Sequence, residues 1–187
     1  MDQTSQLEIL EAQIRECYGR VVWTHKTQEK CADILNSRND WIKLWQIILS
    51  AITTSGISFS VFANNKCAGI ISVLISFVLV ILNTLVKKYD LGGMAQKHAD
   101  AAASIWNIRE SYLSLLTDIR AEMLSCDEIR KIRDKLQIDL HKLYKGSPRT
   151  ITKAYTEASK ALKKMEEMTF SDEEIDNFLP KSLRKVQ

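Results

Sequence analysis

Two long apolar stretches occupy the middle of the chain. No charged residue occurs from Leu44 to Asn65, and none occurs from Cys67 to Val86. Each stretch holds about 20 residues, or roughly 30 Å as a helix, which matches the hydrocarbon thickness of a bilayer. A core helix of this length in a soluble protein normally keeps one charged face, and neither stretch has one. The pattern therefore predicts two membrane spans, at about 44–63 and 67–86.

The segment Asn64–Asn65–Lys66 between the spans is short enough to form a hairpin turn. Both chain ends then lie on the same side of the membrane. Arg38 and Lys43 precede the first span and Lys87–Lys88 follow the second, whereas the turn carries a single lysine. Because basic residues favour the cytoplasmic side, we expect both termini in the cytoplasm.

Outside the spans, apolar residues recur at steps of three and four, which is the period of amphipathic helices. A first helix is predicted over about 4–37, continuing directly into the first span. Its stripe contains Leu7, Leu10, Ile14, Cys17 and Val21. Such heptad-like spacing is typical of a coiled-coil seam, through which we expect several copies of the chain to assemble.

Further helices are predicted after the second span. Gly92–Gly93 favours a bend, and a helix follows over about 95–124. Ser125 and Glu128 form a capping box that opens the next helix, which Gly146–Ser147–Pro148 ends. A fourth helix follows, and a second capping box from Ser171 to Glu174 opens a short last one.

Apolar stripes are predicted to point inward in three of these helices. They are Ile105, Ile108, Tyr112, Leu115 and Ile119 in the first, Ile129, Ile132, Leu136, Leu140 and Leu143 in the second, and Ile151, Tyr155, Ala158, Leu162 and Met165 in the third. No β-type alternation occurs, so we predict an all-α membrane protein. It comprises an N-terminal amphipathic cytoplasmic helix (1–40), a two-span transmembrane hairpin (41–88) and a C-terminal cytoplasmic helical domain (89–187).

No pattern of catalytic or metal-binding residues is present in the sequence. The four cysteines are far apart and form no CxxC motif, and the three histidines lack the spacing of a zinc site. A nucleophile elbow, a P-loop and a dinucleotide fingerprint are also missing. We therefore expect no enzyme activity, no catalytic residue, no metal and no cofactor.

Polar residues of the first span gather on one side of a helix with about 100° per residue. Ser72, Ser76, Asn83 and Lys87 likewise share a face of the second span. Lipid offers polar groups no partner, so each stripe faces either the other span or water. For the second span both interpretations stay open. For the first we favour a water-filled pore, which needs several subunits, with these lining candidates: Lys43, Gln46, Ser50, Thr53, Thr54 and Ser60.

A strongly basic stretch runs from Arg130 to Lys164, with eleven basic residues and three acidic ones. It is interpreted in three ways: as a solvated helical surface, as a contact with anionic lipid head groups, or as a binding site for the phosphates of a nucleotide or oligonucleotide. The ligand-binding candidates are Arg130, Lys131, Arg133, Lys135, Lys142, Lys145, Arg149 and Lys153.

Short motifs on both sides of the hairpin indicate a family. They are Trp23–Thr24–His25–Lys26, Lys88–Tyr89–Asp90–Leu91–Gly92, Gln96–Lys97–His98, Trp106–Asn107–Ile108–Arg109–Glu110–Ser111–Tyr112–Leu113, Pro148–Arg149–Thr150, Ala154–Tyr155 and Ser171–Asp172–Glu173–Glu174–Ile175–Asp176–Asn177–Phe178–Leu179–Pro180. In this order, around a two-span hairpin, they resemble the SLATT family, the SMODS- and SLOG-associating two-transmembrane effectors of bacterial conflict systems.

The resemblance implies an anti-phage effector that permeabilises the bacterial inner membrane and acts by abortive infection. In that family the usual trigger is a nucleotide or oligonucleotide made by a neighbouring nucleotidyltransferase. We therefore expect a homo-oligomeric ion channel gated by such a signal. The alternatives are a membrane anchor or scaffold without a pore, and a pore held in check by a protein guard such as a reverse transcriptase complex.

Overall fold

The computed structural model describes residues 3–185, which form helices and connecting turns without any strand. The helices are α1 (Gln3–Phe62), α2 (Lys66–Tyr89), α3 (Leu91–Arg120), α4 (Cys126–Gly146), α5 (Thr152–Lys164) and α6 (Asp172–Phe178), followed by a short 3-10 turn at Lys181–Leu183. The all-α prediction is confirmed for this part of the chain.

Helix α1 joins the predicted N-terminal helix and the first span without interruption. Its 60 residues give it a length of about 90 Å. Its inward positions follow steps of four and seven from the arm into the membrane-spanning part, as in Gln28, Leu35, Asn39, Gln46 and Thr53. One seam therefore runs along most of the helix.

The hairpin turn lies where the sequence predicts it. Asn64 adopts a left-handed backbone with φ 49°, which asparagine tolerates better than most residues. The side chain of Asn65 then caps α2 by accepting a hydrogen bond from the backbone N–H of Ala68 at 3.2 Å. Helix α2 consequently returns antiparallel to the end of α1, and residues 41–88 form a tight hairpin.

The bend after the second span lies at Asp90 and not at the predicted Gly92–Gly93. Asp90 has φ 37° and ψ 58°, and its carboxylate accepts the backbone N–H of Gly93 at 3.1 Å. Both glycines belong to α3, which therefore begins earlier than predicted. A Cβ at Gly93 would stand 2.2 Å from the Asp90 carboxylate, so the glycine makes room for the cap.

Helix α3 runs back along the N-terminal part of α1. Helix α4 packs on both α1 and α3, and α5 packs on α1. We call this assembly, residues 5–39 of α1 together with α3, α4 and α5, the helical arm. Its core contains Leu10, Ile14, Val21, Ile105, Ile108, Tyr112, Leu115, Ile119, Ile129 and Leu136. The heptad stripe of α1 is thus buried within one chain and is not available for the predicted assembly of several copies.

Two of the predicted inward stripes are partly wrong. In α5 the buried residues are Ala154, Ala158 and Ala161, whereas Tyr155 is 54% exposed and Met165 is 62% exposed. Helix α5 presents an alanine ridge to α1, and its larger apolar residues lie at the edge of the contact. In α4, Ile132 is likewise exposed, while Ile129 and Leu136 are buried.

Both predicted capping boxes are confirmed. In each, the serine hydroxyl accepts the backbone N–H of the glutamate three residues on, at 3.4 Å for Ser125 and 3.3 Å for Ser171. Glu128 and Glu174 in turn accept the backbone N–H of those serines. These reciprocal bonds fix the beginnings of α4 and α6.

Candidate functional site

The outer surface of the hairpin is apolar and uncovered. Only 6% of the most apolar part of each long helix is buried within the chain, which excludes the core helices of a soluble protein. Trp41 and Trp45 on α1 and Tyr89 at the end of α2 are exposed at the end of the hairpin nearest the arm, close to Lys87 and Lys88. Aromatic and basic residues at this level are typical of a membrane–water interface.

The inner surface of the hairpin is polar and made of small residues. Gln46 donates a hydrogen bond from Nε2 to Oδ1 of Asn83 across the two helices, at 2.7 Å. Thr53 and Ser72 are buried between the helices. A Cβ at Gly56 would clash with the Ser72 hydroxyl, so the helices approach closely here. Small and hydrogen-bonding residues are the usual means of packing helices in lipid.

This packing divides the six pore-lining candidates into two groups. Gln46, Thr53 and Ser60 face α2 and are at least partly buried. The exposed group is Lys43, Ser50 and Thr54, which share a neighbouring flank of α1. The first group therefore packs the two helices of the hairpin together, and only the second group is available to line a pore.

Most hydroxyls of the spans find an acceptor in their own helix. Thr53, Thr54 and Ser72 each donate to the carbonyl four residues earlier, at 2.8 to 3.0 Å. Such internal bonds satisfy the hydroxyl proton without water or a second helix. The exposed flank can thus meet lipid or water, and among residues 3–185 its Lys43 and Ser50 side chains form no hydrogen bond or ion pair.

Near the membrane, the seam of the arm becomes polar. Nδ1 of His98 lies 2.5 Å from Oε1 of Gln28, and Nε2 of Gln28 donates to the carbonyl of Pro148 at 3.3 Å. Burial lowers the pKa of His98, and burial is also the main cause of the lowered pKa of His25. Among the described residues no cluster of metal ligands occurs. The network of His98, Gln28 and Pro148 connects α1, α3 and the loop before α5.

The eight basic ligand-binding candidates do not converge on one site. Arg130, Arg133 and Lys142 form ion pairs with acidic residues of α4 itself, at 2.6 to 3.1 Å. The two arginines also bond to glutamines of α1. The remaining five lie apart: Lys131, Lys135 and Lys145 are exposed on α4, Arg149 lies in the loop after α4, and Lys153 lies at the start of α5.

Aromatic and basic residues do converge on a groove of about 710 Å³ between α1, α4 and α5. We call it the aromatic groove, and it is lined by Glu16, Gly19, Arg20, Trp23, Thr24, Tyr144, Tyr155 and Lys163. The rings of Trp23 and Tyr155 are 5.1 Å apart and tilted by 50°. Nζ of Lys163 lies 5.3 Å from the centre of the Trp23 ring.

A smaller recess of about 490 Å³ adjoins this groove and shares Thr24 and Tyr144 with it. Arg149 and Thr150 form its far side. Of the eight predicted basic candidates, only Arg149 borders this pair of cavities. Lys142 and Lys153 also line cavities, but each of these cavities is separate from the groove and the recess.

Sequence reasoning missed the aromatic groove because its residues come from distant parts of the chain. Helical spacing places Tyr155 in the core, and Trp23 is distinguished in the sequence only as part of a family motif. The available signal was an aromatic residue with basic neighbours on two helices, at Arg20–Trp23 and Tyr155–Lys163.

Two apolar helices joined by a tight turn, with a helical arm on one side, define a two-span helical membrane protein. Comparison with known families then gives the relationship directly. The chain belongs to the SMODS and SLOG-associating 2TM effector domain family 4, whose family model matches residues 10–174. The resemblance to SLATT proteins is thereby confirmed. No curated protein and no solved structure matches the chain.

Proposed function

We propose that this protein is the membrane-permeabilising effector of a bacterial anti-phage system. The observation that carries the proposal is the hairpin, whose outer face is apolar and almost entirely uncovered, in a chain of an effector family. The helical arm would lie in the cytoplasm and the hairpin in the inner membrane, since basic residues flank the arm side.

The permeation path would require several copies, because two helices cannot enclose a pore. The flank of α1 with Lys43, Ser50 and Thr54 is the surface that we assign to this path. Gln46 and Thr53 would hold the hairpin together behind it, as their contacts with α2 indicate.

The signal would be a nucleotide or oligonucleotide from a partner nucleotidyltransferase, bound by the helical arm. A ligand shifts a closed–open equilibrium only through its differential affinity for the two states, about 1.4 kcal/mol for each tenfold. The arm can provide such a difference because α1 connects its binding surfaces directly to the first span.

Ion leak from liposomes carrying the purified protein tests the proposal. Leak without added nucleotide would identify a channel that is open by default, with a signal that inhibits it. Tight liposomes that leak after oligonucleotides are added would identify a channel that the signal opens. Absence of leak under both conditions would contradict a pore.

Two leucine substitutions identify the pore surface within the same assay. Thr54→Leu should lower the leak several-fold because it blocks a polar flank, whereas Ile52→Leu, on an exposed apolar face, should leave it unchanged. Equal effects of both substitutions would remove the exposed flank from the permeation path.

A membrane anchor without a pore is the second candidate function. It is favoured by one observation, the internal satisfaction of the hydroxyls by their own helix. An anchor predicts tight liposomes and full tolerance of leucine at Ser50 and Thr54.

A further inference from the structure

The walls of the aromatic groove combine flat apolar surfaces with positive charge. Tyr144 and Tyr155 expose a large part of their rings, and Trp23 lies between them on α1. Arg20 is held by Glu16, but Lys163 and Arg149 form no ion pair in the described part of the chain. Two uncommitted cations thus stand at the groove and at the recess beside it.

The contacts inside the groove are incomplete. Nε1 of Trp23 is buried and donates to no acceptor within the described residues. Lys163 covers the Trp23 ring only through a cation–π contact at 5.3 Å, which contributes little in an open site. The indole N–H is enclosed by the chain's own atoms, so Lys163 is the group that offers an uncommitted polar contact to a ligand in the groove.

The chemistry of the groove excludes several ligand classes. A bare inorganic anion would use the cations and leave the rings without a function. A neutral apolar ligand would use the rings and leave Lys163 and Arg149 unpaired. A lipid head group has no planar ring to place against Tyr155 and Trp23. A planar heterocycle that carries phosphate uses both parts of the groove, since bases stack on aromatic side chains and phosphates pair with Lys and Arg.

We propose that the aromatic groove, together with the recess beside it, is the nucleotide site of this protein, with a base stacked on Tyr155 and Trp23, one phosphate held by Lys163 and a second phosphate held by Arg149 at the recess. The inference rests on the proposed function in one respect, the existence of a nucleotide signal, and names where that signal binds. Lys163 moves from the face of the indole to the phosphate when the base enters.

This position couples ligand binding to the membrane. The groove joins α1 to α4 and α5, so a bound nucleotide pulls three helices together at one level of α1. Since α1 continues into the first span, the ligand acts on the same helix that bears Ser50 and Thr54.

Calorimetric titration of the full-length protein in lipid nanodiscs tests the site. The probes are linear and cyclic dinucleotides of adenine, guanine, cytosine and uracil, together with adenosine, which lacks phosphate, and inorganic tripolyphosphate, which lacks a ring. At least one dinucleotide should bind about tenfold or more tightly than either partial probe, because stacking and phosphate contacts act together.

Substitutions separate this groove from the other basic surfaces. Tyr155→Leu should weaken dinucleotide binding about tenfold through lost stacking, whereas Tyr155→Phe retains the ring and should bind within about threefold of the original protein. Lys163→Ala and Arg149→Ala should weaken the dinucleotide and leave adenosine unchanged. Lys131→Ala, on the exposed face of α4, is the matched control and should bind as the original protein does.

Three outcomes would overturn the assignment. They are tripolyphosphate binding as tightly as the best dinucleotide, equal losses in Lys131→Ala and Tyr155→Leu, and no binding by any dinucleotide. These results are independent of the liposome assay. A channel that leaks but binds no dinucleotide refutes the groove alone, and a protein that binds but never leaks refutes the pore alone.

Discussion

Helix α1 belongs to both the helical arm and the hairpin, but the polar and apolar sides of its seam are exchanged between the two regions. In the arm, α1 turns Ile14 and Val21 inward and its charged residues outward. In the hairpin, the same succession of inward positions carries Gln46, Thr53 and Gly56, and most outward positions are apolar apart from exposed hydroxyls and the flank with Lys43, Ser50 and Thr54. The period is unchanged along the helix, and only the chemistry of its two sides is exchanged.

The two regions differ in this way because water surrounds the arm and lipid surrounds the hairpin. Water drives apolar side chains to the inside of the arm, which stabilises it by roughly 25 cal/mol for each Å² of apolar surface removed from water. Lipid offers no such gain, so the hairpin depends on close approach and hydrogen bonds between its helices. Between the arm and the hairpin lies a short polar section of the seam, with Gln28, Asn39 and His98. Here apolar burial and hydrogen bonds between helices act together.

The strongest test of this difference is to truncate one isoleucine in the arm and one in the hairpin. Ile105→Ala leaves a cavity in the arm and should lower the free energy of unfolding by about 2–5 kcal/mol. Ile71→Ala, on the exposed outer face of α2, should have a much smaller effect. Thermal melting of both variants in nanodiscs measures the difference, and equal losses would show that the hairpin is a buried core after all.

A second prediction concerns close approach inside the hairpin. Gly56→Leu places a large side chain against Ser72 and should destabilise the protein by about 1–3 kcal/mol through overpacking. The matched control is Gly19→Ala in the arm, where a Cβ meets no atom within 4 Å. Because alanine is the better helix former, this control should be stabilising by about 0.5–1 kcal/mol. Melting temperatures that shift in the same direction would contradict the packing assigned to Gly56.

The polar section between the two regions should make stability depend on pH. Burial lowers the pKa of His98 in the folded protein, so the folded state takes up protons less readily than the unfolded chain. As pH falls below about 6.5, stability should drop by up to 1.4 kcal/mol per pH unit for this group. His98→Asn should flatten the pH profile of chemical denaturation, and an unchanged profile would contradict the role of His98.

The smallest expected effect belongs to the single hydrogen bond across the hairpin. A double-mutant cycle of Gln46→Leu and Asn83→Leu should give a coupling free energy of about 0.6 kcal/mol, the average for such bonds in membranes. Coupling of zero would mean that the two side chains pack without bonding. The measurement is made by unfolding in mixed micelles, where the helices separate reversibly.

Much of this fold could be predicted because its signals are local. The charge-free stretches, the Asn64–Asn65 turn and the capping boxes at Ser125 and Ser171 each depend on a few neighbouring residues. The position of the bend could not be predicted from the glycines. Asp90 takes the strained backbone itself, because its carboxylate caps α3, and Gly93 only provides space.

The candidate site was harder to predict, since helical spacing identifies the apolar side of a helix but not how closely a neighbour approaches. In α5 the alanines allow close contact with α1, which leaves Tyr155 at the surface against Trp23. These two residues are far apart in sequence, so no local pattern joins them. The basic stretch, in contrast, was visible at once, and three of its eight candidates turn out to be paired within α4.

The continuity of α1 has a mechanical consequence. Because α1 runs unbroken for about 90 Å, Trp23 beside the groove and Ser50 in the first span belong to one helix and are separated by about 40 Å of continuous backbone. Between α2 and α3 the helix is interrupted at Asp90, whose backbone is left-handed. A displacement of the arm therefore reaches the first span along one continuous helix and the second span only across a bend.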